Sequence, residues 1–482
     1  MSKLLKFAIV LLTSFAICAC GSGGGGGSDL PVAGDTVTPG TPGAPITPGT
    51  PPPVSPGQLG PLTDIGDLVG ASDVNWLYTK AVAINDNGQV VGTSLTNAAA
   101  FIWNPAANAM TWLGLHMDFV TGADKYYDNY YEPTGTKPFI WSDAVDVNNS
   151  GWAIGNSNTG AKDADGNFTE KRAFVSDGAT FIDLAPVTRN QITGVYDVIK
   201  SYSAAVAINN NGYVILNVED ADSGNRHAYY WNGANYEPGA APDGSDVPRL
   251  VRLGWVNGET SEAIAINENN EAVVNSGKTA VYTNINTGFS QVLNSILYDE
   301  VARATDINNK SQIIGTSGKL GFLWEAGAMT RINSLGGDSC TPVDINNMSQ
   351  VVGSAKAASG ATHAFLWQLN ASGVPVMNDL GTLGGANSFA TAINDAGWVV
   401  GYSDVGRTLQ DATGTYTIKH AFLWVNGVMY DLGVHNDFYD YPFIDSYPFS
   451  EAVGINATGT LVGNSTSINV NSRGFVLTPN LP

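Results

Sequence analysis

One short motif returns along the chain and constrains the fold more than any other feature. The stretch AVAINDNGQVVG, from Ala81, has strand-like residues on both sides of the tetrapeptide NDNG. Asn at the first position of a turn and Gly at the fourth favour a β-turn. The motif therefore predicts a β-hairpin, and related stretches begin at Ala144, Ala390 and Ala452.

The number of copies indicates a repeat architecture. In three copies the glycine of the turn is replaced, by Asn270, Ser311 or Ser349. Asn tolerates the left-handed backbone conformation well, and Ser tolerates it less readily. Self-similar units of this kind predict a solenoid, a propeller or an array. The apolar residue that opens the turn is Ile84, Val147, Ile208, Ile266, Ile307, Ile345, Ile393 or Ile455.

A second hairpin follows each copy, most clearly in HAFLWQLNASGVPVMNDLGTLGG from His363 and HAFLWVNGVMYDLG from His420. Phe and Trp lie two residues apart in HAFLW, so they share one face of a strand. Each repeat thus contains four short strands, which is the content of one propeller blade. The tryptophans at the third-strand position are therefore expected in the core: Trp103, Trp231, Trp324, Trp367 and Trp424.

The two ends of the repeat region predict how the last blade is completed. The segment PLTDIGDL from Pro61 matches the fourth-strand pattern VMNDLGTL, and RGFVLTP from Arg473 is a third strand with no fourth. We therefore predict an all-β, eight-bladed β-propeller over residues 61–482, closed by its N-terminal strand. Seven blades are the alternative if the degenerate fourth copy, KTAVYTNINTGFSQV from Lys278, merges with a neighbour.

The pattern HAFLW…DLGTLGG…INDAGWVVGYS resembles the HAF-repeat family of extracellular bacterial proteins. The resemblance covers essentially all of residues 61–482 and is most specific in copies six and seven. It implies export and a repeat fold, and it implies no particular reaction or ligand.

The N-terminal segment predicts export and a lipid anchor. MSKLLKFAIVLLTSFAICAC has two lysines before an apolar run, the layout of a secretory signal peptide. Its last four residues resemble a bacterial lipobox, which implies removal of residues 1–19 and acylation (palmitate) of Cys20. Gly21 in place of aspartate implies the outer membrane, with surface or periplasmic orientation left open. The alternative is an ordinary signal peptide with incidental cysteines.

Residues 20–60 are rich in Gly, Ser and Pro and cannot bury a core, so we expect a disordered tether there. Beyond Cys20 one cysteine remains, Cys340, so no disulfide framework is expected. We expect Cys340 to be a small buried apolar residue. The chain carries 43 Asp and Glu against 22 Lys and Arg, for a net charge of −21, which argues against nucleic acid as a partner.

Binding is expected on one face of the predicted propeller. Antiparallel strands place the short turns of each blade on one face and the long connections on the other, where binding residues commonly lie. Two long connections, residues 116–141 and 435–452, both begin His-x-Asp-Phe and are rich in tyrosine, which suits recognition. The alternative is that these rings pack together and seal the face. The predicted patch consists of Tyr126, Tyr127, Tyr130, Tyr131, Trp141, Tyr439, Tyr441 and Tyr447.

Two sets of residues are candidate metal ligands. The first, suited to a transition metal, is His116, Asp118, His435 and Asp437. The second consists of Asp pairs spaced as calcium ligands, without the complete EF-hand pattern: Asp163, Asp165, Asp220 and Asp222. A duplicated repeat and solvated turns are the alternative explanations. We expect no cofactor, and calcium is the alternative.

Three functions fit these residues. The first is a non-catalytic module that binds a surface glycan or a protein through the face with the long connections. The second is an exported polysaccharide hydrolase or lyase that uses loop carboxylates, since such chemistry needs paired carboxylates or a histidine. His227, His363 and His420 belong to the repeat, which leaves His116 and His435 as histidine candidates. The third is a structural component of the envelope.

Overall fold

The computed structural model describes the chain from residue 59 onwards with gaps. All described residues lie in the compact unit Thr50–Pro482. Every named element in them is a β-strand, which confirms the all-β class, and these segments contain no helix long and apolar enough to cross a membrane. The described ranges are 59–60, 62–66, 79–94, 99–114, 141–158, 171–184, 187–189, 196–198, 202–219, 224–237, 247–254, 256, 259–293, 300–411, 414–434, 449–466 and 472–481.

The strands form small antiparallel sheets in chain order, after a first strand β1 (Thr63–Asp64). Sheet 1 consists of β2 (Thr79–Ile84), β3 (Val90–Ser94), β4 (Ala99–Asn104) and β5 (Ala109–Trp112). Sheet 2 consists of β6 (Ser142–Val147), β7 (Ala153–Asn158), β8 (Lys171–Ser176) and β9 (Phe181–Asp183). A two-stranded ribbon follows, made of β10 (Val187–Arg189) and β11 (Tyr196–Val198).

The next three sheets repeat this plan. The chain then forms β12 (Ser203–Ile208), β13 (Val214–Glu219), β14 (Arg226–Trp231), β15 (Tyr236–Glu237), β16 (Val247–Pro248) and β17 (Val251–Arg252). Strands β12, β13, β14 and β17 make sheet 3, and β15 pairs with β16. Sheet 4 consists of β18 (Ser261–Ile266), β19 (Glu271–Ser276), β20 (Thr279–Asn284) and β21 (Phe289–Leu293). Sheet 5 consists of β22 (Ala302–Ile307), β23 (Ile313–Ser317), β24 (Leu320–Glu325) and β25 (Ala328–Ile332).

The last strands complete the series. Sheet 6 consists of β26 (Gly336–Ile345), β27 (Val351–Ala357), β28 (Thr362–Leu369) and β29 (Pro375–Asp379). Sheet 7 consists of β30 (Gly384–Ile393), β31 (Val399–Asp411), β32 (Gly414–Val425) and β33 (Val428–Gly433). Sheet 8 consists of β34 (Phe449–Ile455), β35 (Leu461–Thr466), β36 (Ser472–Leu477) and β1, and one parallel pairing of Lys419 with Phe449 joins it to sheet 7.

The repeated motif forms the inner hairpin, as predicted. Within the described residues, each of its eight copies joins the first two strands of a sheet. The residues that replace glycine adopt the left-handed conformation, with φ of 59° at Asn270, 60° at Ser311 and 63° at Ser349. The degenerate fourth copy forms β20 and β21 of sheet 4.

The first strand of each sheet carries a bulge, which explains the glycine of the VVG segment in the second strand. In sheet 7 the register shifts between Ala390 and Ala392. A Cβ placed on Gly401 would lie 2.0 Å from the carbonyl oxygen of Phe389. In most sheets a bulge and a glycine face each other in this way, because only glycine permits such a close approach.

The turn asparagines link each sheet to the next. The Nδ2 of Asn85 donates to the carbonyl oxygen of Asn148 at 2.8 Å, and each later turn repeats the bond to its successor. The last bond returns to the start, since Asn456 Nδ2 donates to the carbonyl oxygen of Asn85 at 3.0 Å. Each asparagine is buried. The donors, in order, are Asn85, Asn148, Asn209, Asn267, Asn308, Asn346, Asn394 and Asn456.

The two ends of the repeat region are in contact. Strand β1 pairs antiparallel with β36, with Thr63 opposite Val476 and Asp64 opposite Phe475. The carboxylate of Asp64 also accepts a charge-assisted bond from Arg473 at 2.6 Å.

Aromatic and aliphatic side chains of the third strands fill the space between neighbouring sheets. Four of the five repeated tryptophans are at most 5% exposed, and Trp424 is half-buried. Cys340 is 1% exposed, as predicted, and burial raises the pKa of its thiol to about 12.

Candidate binding face

The predicted patch is described at one position only. Trp141 precedes β6 and is half-buried. The other predicted residues lie outside the described ranges: Tyr126, Tyr127, Tyr130, Tyr131, Tyr439, Tyr441, Tyr447, His116, Asp118, His435, Asp437, Asp163, Asp165, Asp220, Asp222 and Cys20.

Strand direction defines the face on which Trp141 lies. The Asn-containing turns and the third-to-fourth-strand turns, such as residues 105–108 and 426–427, share one end of each sheet. The first and third strands therefore begin at the opposite end, where the long connections leave. We call this end the loop face.

A row of alternating aromatic and cationic side chains lies on the loop face of sheets 2 and 3. The ammonium of Lys171, at the start of β8, lies 5.4 Å from the ring centre of Trp141 and 5.7 Å from that of Tyr202. The guanidinium of Arg226, at the start of β14, lies 5.1 Å from the same Tyr202 ring. Such contacts are attractive cation–π interactions. We call these four residues the cation–aromatic row.

Hydrogen bonds to the ends of second strands fix the backbone beneath the row. Trp141 donates its amide to Asn158 Oδ1 at 3.0 Å, and its carbonyl accepts from the Asn158 amide at 3.1 Å. The carbonyl of Tyr202 accepts from the Glu219 amide at 2.8 Å. The backbone of both ring residues is therefore held by the ends of the second strands.

A pocket of about 150 Å³ adjoins the end of the row at Arg226. It lies on the loop face of sheets 3, 4 and 5, because its residues come from the ends of strands there. The carboxylate of Glu219 lies 3.7 Å from Arg226, and both side chains are substantially exposed. The other lining residues are Thr260, Ser261, Glu262, Asn275, Gly277 and Arg303.

A second aromatic cluster lies on the loop face of sheets 7 and 8. The rings of Phe389 and Tyr402 stack with centres 5.0 Å apart, and Phe449 lies 6.2 Å from Tyr402. The ammonium of Lys419 lies 5.3 Å from the centre of the Tyr402 ring. Burial raises the pKa of Tyr402, and so do the nearby carboxylates of Glu451 and Asp404.

Charged residues near the start of the first strands of sheets 8, 1 and 2 influence one another. Burial raises the pKa of Glu451 in sheet 8, and the ammonium of Lys80 in sheet 1 opposes the shift. Burial likewise raises the pKa of Asp143 in sheet 2, and Lys171 and Lys80 oppose it. Lys80 thus lies close enough to influence an acidic residue on either side.

The histidines of the repeat pair with residues of their own sheets. His363 Nδ1 lies 2.8 Å from Asp379 Oδ2, and His420 Nδ1 lies 2.9 Å from Asp431 Oδ1. Arg172 takes the same strand position and lies 3.4 Å from Asp183. In these three sheets a basic side chain of the third strand contacts an acidic side chain of the fourth strand, which indicates a structural clamp between the two strands.

One pair of carboxyl groups lies near the other face. Asp306 and Asp344 come two residues before the turn asparagines of sheets 5 and 6 and interact with each other. Burial and the neighbouring Asp344 carboxylate raise the pKa of Asp306 well above its usual range. Both carboxylates also accept hydrogen bonds from backbone amides, including one from Ile345 to Asp306 and one from Ile393 to Asp344.

The described part of the chain contains no group of three or more His, Cys, Asp and Glu side chains that could hold a metal ion. The candidate calcium and transition-metal ligands lie outside it, so those sites stay predictions.

Sequence reasoning overlooked most of the row and the whole pocket. Lys171, Tyr202, Arg226 and Arg303 are not among the residues that the sequence motifs singled out. One signal was available, since Trp141 and Tyr202 both immediately precede the first strand of a sheet. Comparing that position between repeats would have identified two rings that a single motif does not reveal.

No protein-family model matches the chain, and no curated protein matches it. Solved structures that resemble it include a streptogramin B lyase, with 11% identity, a TM-score of 0.36, and coverage of 70% of this chain and 92% of that one. An ulvan lyase has 10% identity and a TM-score of 0.34, with coverage of 88% of this chain and 95% of that one. The WD40 repeats of RRP9 have 8% identity, a TM-score of 0.34, and coverage of 86% and 96%. The sequence identity and the TM-score are too low in each case to inform the chemistry of this chain.

Proposed function

We propose that this chain is a lipid-anchored, exported β-propeller that binds a surface glycan or a protein without catalysis. In this proposal Cys20 carries the lipid at the outer membrane, and residues 20–60 tether a propeller of residues 61–482. The loop face is the binding surface.

An eight-bladed, closed ring is part of the proposal. The succession of asparagine bonds supports it, because the bond from Asn456 to Asn85 brings the last turn against the first. The pairing of β1 with β36 supports it as well, since it supplies a fourth strand to sheet 8.

The cation–aromatic row is the observation that carries the binding function. A tyrosine or tryptophan ring offers a large contact area and loses little rotamer entropy on binding. Cations over these rings add polar donors at the same surface. Trp141 and Tyr202 are half-buried, so part of each side chain is accessible.

A glycan array with the purified chain, run together with polysaccharide cleavage assays, tests this function. We expect retention of a subset of glycans that falls at least tenfold in Tyr202→Ala, with no turnover. Trp112→Ala is the matched control, because Trp112 is a half-buried aromatic residue of strand β5 that is not a member of the row. Glycan retention unchanged by Tyr202→Ala would contradict the assignment of the row. Turnover abolished by replacing one carboxylate would replace binding with hydrolase or lyase chemistry.

The anchor is tested separately. Cys20→Ala is expected to abolish palmitate labelling and release the chain from the membrane fraction. Protease treatment of whole cells distinguishes the two orientations, because only a surface-exposed chain is cleaved. Membrane association that persists in Cys20→Ala would overturn the lipid anchor without affecting the binding proposal.

A further inference from the structure

The pocket beside the cation–aromatic row combines two guanidinium groups with a rigid polar floor. Asn275 is 8% exposed and bonds to sheet 5, with its Oδ1 accepting from the Ala304 amide at 2.9 Å. Ser261 is 2% exposed, and its Oγ accepts from the Ala228 amide at 3.0 Å. Because these groups are already bonded to neighbouring sheets, the floor of the pocket is fixed before a ligand arrives.

Arg303 forms one wall and has unused hydrogen-bonding capacity. Its Nη1 is buried and has no hydrogen-bond partner in the described part of the chain. A buried charged donor without a partner is costly, and a carboxylate or sulfate accepts from a guanidinium through two parallel bonds. Arg303 also lines the pocket, so its guanidinium favours an anionic ligand there.

The pocket also contains one acidic side chain, and its position limits the ligand. Glu262 occupies in β18 the position that Arg303 occupies in β22, and it is exposed. A carboxylate beside two guanidinium groups repels a small dense anion but accepts bonds from hydroxyl groups. A ligand that carries both an acidic group and hydroxyls therefore satisfies all three side chains.

The volume of the pocket matches a single six-membered ring. Its volume is about 150 Å³. A cavity of roughly 150 Å³ holds a six-membered ring such as benzene. The cation–aromatic row begins at Arg226, the other guanidinium of the pocket, so a polymer held in the pocket reaches Tyr202 and Lys171 next.

We propose that this pocket binds one uronic acid unit of an acidic polysaccharide, with the sugar carboxylate on Arg303 and Arg226. Its hydroxyls bond to Glu262 and Thr260, and the adjoining sugars lie along the cation–aromatic row. This inference rests on the proposed function and names its substrate class.

The test measures binding of oligogalacturonate to the full chain by calorimetry, with neutral dextran oligomers as the comparison. Arg303→Gln is expected to weaken oligogalacturonate binding about 10- to 100-fold, the range for loss of a hydrogen bond to a charged group. Arg331→Gln is the matched control, because Arg331 is an exposed arginine of the same sheet on the outer strand β25. We expect Arg331→Gln to bind as the wild type does.

A variant with the opposite expected effect excludes misfolding as the explanation. Glu262→Gln removes a negative charge from the pocket and should tighten oligogalacturonate binding by about two- to fivefold, the size of an exposed charge interaction. Added salt should weaken wild-type binding more than that of Arg303→Gln, because exposed charges are screened.

The outcomes separate the pocket from the proposed function. Oligogalacturonate binding that Arg303→Gln leaves unchanged overturns the pocket proposal, and so does equal binding of dextran. If Tyr202→Ala still abolishes glycan retention in that case, the binding function stands without the pocket. If the chain retains no glycan and oligogalacturonate does not bind, both proposals fail.

Discussion

The isosteric replacement Asn346→Asp tests whether the turn asparagines hold neighbouring sheets together. Asn346 is 4% exposed, and its Nδ2 donates to Gln350 Oε1 at 2.7 Å and to the carbonyl oxygen of Asn394 at 2.9 Å. Its Oδ1 accepts from the amides of Met348 and Gln350 within the turn. Aspartate keeps the acceptor oxygen, but it replaces the donor nitrogen with an oxygen that faces Gln350 Oε1 and the carbonyl oxygen of Asn394.

The expected cost follows from these contacts. Each buried group left without its partner costs about 1–3 kcal/mol, and two bonds are lost, so Asn346→Asp should lower the free energy of unfolding by about 3 kcal/mol or more at pH 7. Burial raises the pKa of an introduced carboxyl, and its protonated form donates again. The deficit should therefore shrink as the pH falls towards 4.

The same sheet provides a matched control. Asn370 accepts from the amides of Ser372 and Val374 through its Oδ1, as in the inner turns, but it is exposed and its turn has no partner sheet. Asn370→Asp should change the free energy of unfolding by no more than about 0.5 kcal/mol. Urea unfolding followed by tryptophan fluorescence measures both variants. Equal losses of unfolding free energy in the two variants, or no loss in Asn346→Asp, would refute the role assigned to the turn asparagines.

Three further predictions use the same unfolding assay. Gly401→Ala should destabilise the chain by about 2 kcal/mol or more, because the added Cβ would lie 2.0 Å from a carbonyl oxygen. Gly454→Ala should be tolerated, because the closest contact of its added Cβ is 3.4 Å. Equal effects of the two substitutions would contradict the bulge argument. Asp306→Asn should stabilise the chain at pH 7–8 and leave its stability unchanged near pH 4. The pKa of the folded carboxyl is raised, so its charged form costs stability as pH rises, whereas the amide can donate to Asp344 as the protonated acid does. A stability difference that does not depend on pH would argue against this account. The hydrogen bond to its aspartate partner raises the pKa of His363 above 6.5. The stability that His363→Gln removes should therefore be fully present below pH 6.5 and decline as pH rises through the raised pKa. A stability loss in His363→Gln that grows with pH would contradict this sign.

The all-β class and the repeat were predictable because they depend on local patterns. Strand-like residues around an Asn-x-x-Gly turn specify a hairpin without reference to the rest of the chain. Asn270, Ser311 and Ser349 take the left-handed conformation that glycine takes elsewhere, which the alignment of the motifs already indicated.

The cross-sheet role of the asparagines was not predictable from one motif. A turn accounts for the Oδ1 of Asn85, which accepts from the amides of Asn87 and Gln89. It does not reveal that Nδ2, which donates to Gln89 Oε1 within the hairpin, also donates to the carbonyl of Asn148 in the next sheet. The position of that partner depends on how sheets pack, which a local pattern does not encode.

The pocket escaped prediction for a related reason. Arg226, Glu262 and Arg303 come from three different sheets, at positions that read as ordinary strand starts. Their convergence depends on register and on the bulges, since a one-residue slip reverses the direction of every side chain. Only their common position in the repeat, near the start of a first or third strand, connects them in the sequence.

The two ends of each repeat differ in sequence variation, which explains how one scaffold carries a varied surface. The buried turn asparagine and the bulge with its facing glycine fix the inner strands at one end, with little tolerance for change. At the loop-face end, Lys80, Asp143, Glu262 and Arg303 occupy one equivalent position with different charges. The strand starts therefore position these charges on a common scaffold. On this reasoning the recognition chemistry of the chain should follow the strand starts, and substitution of Arg303 should alter binding more than shortening residues 159–170.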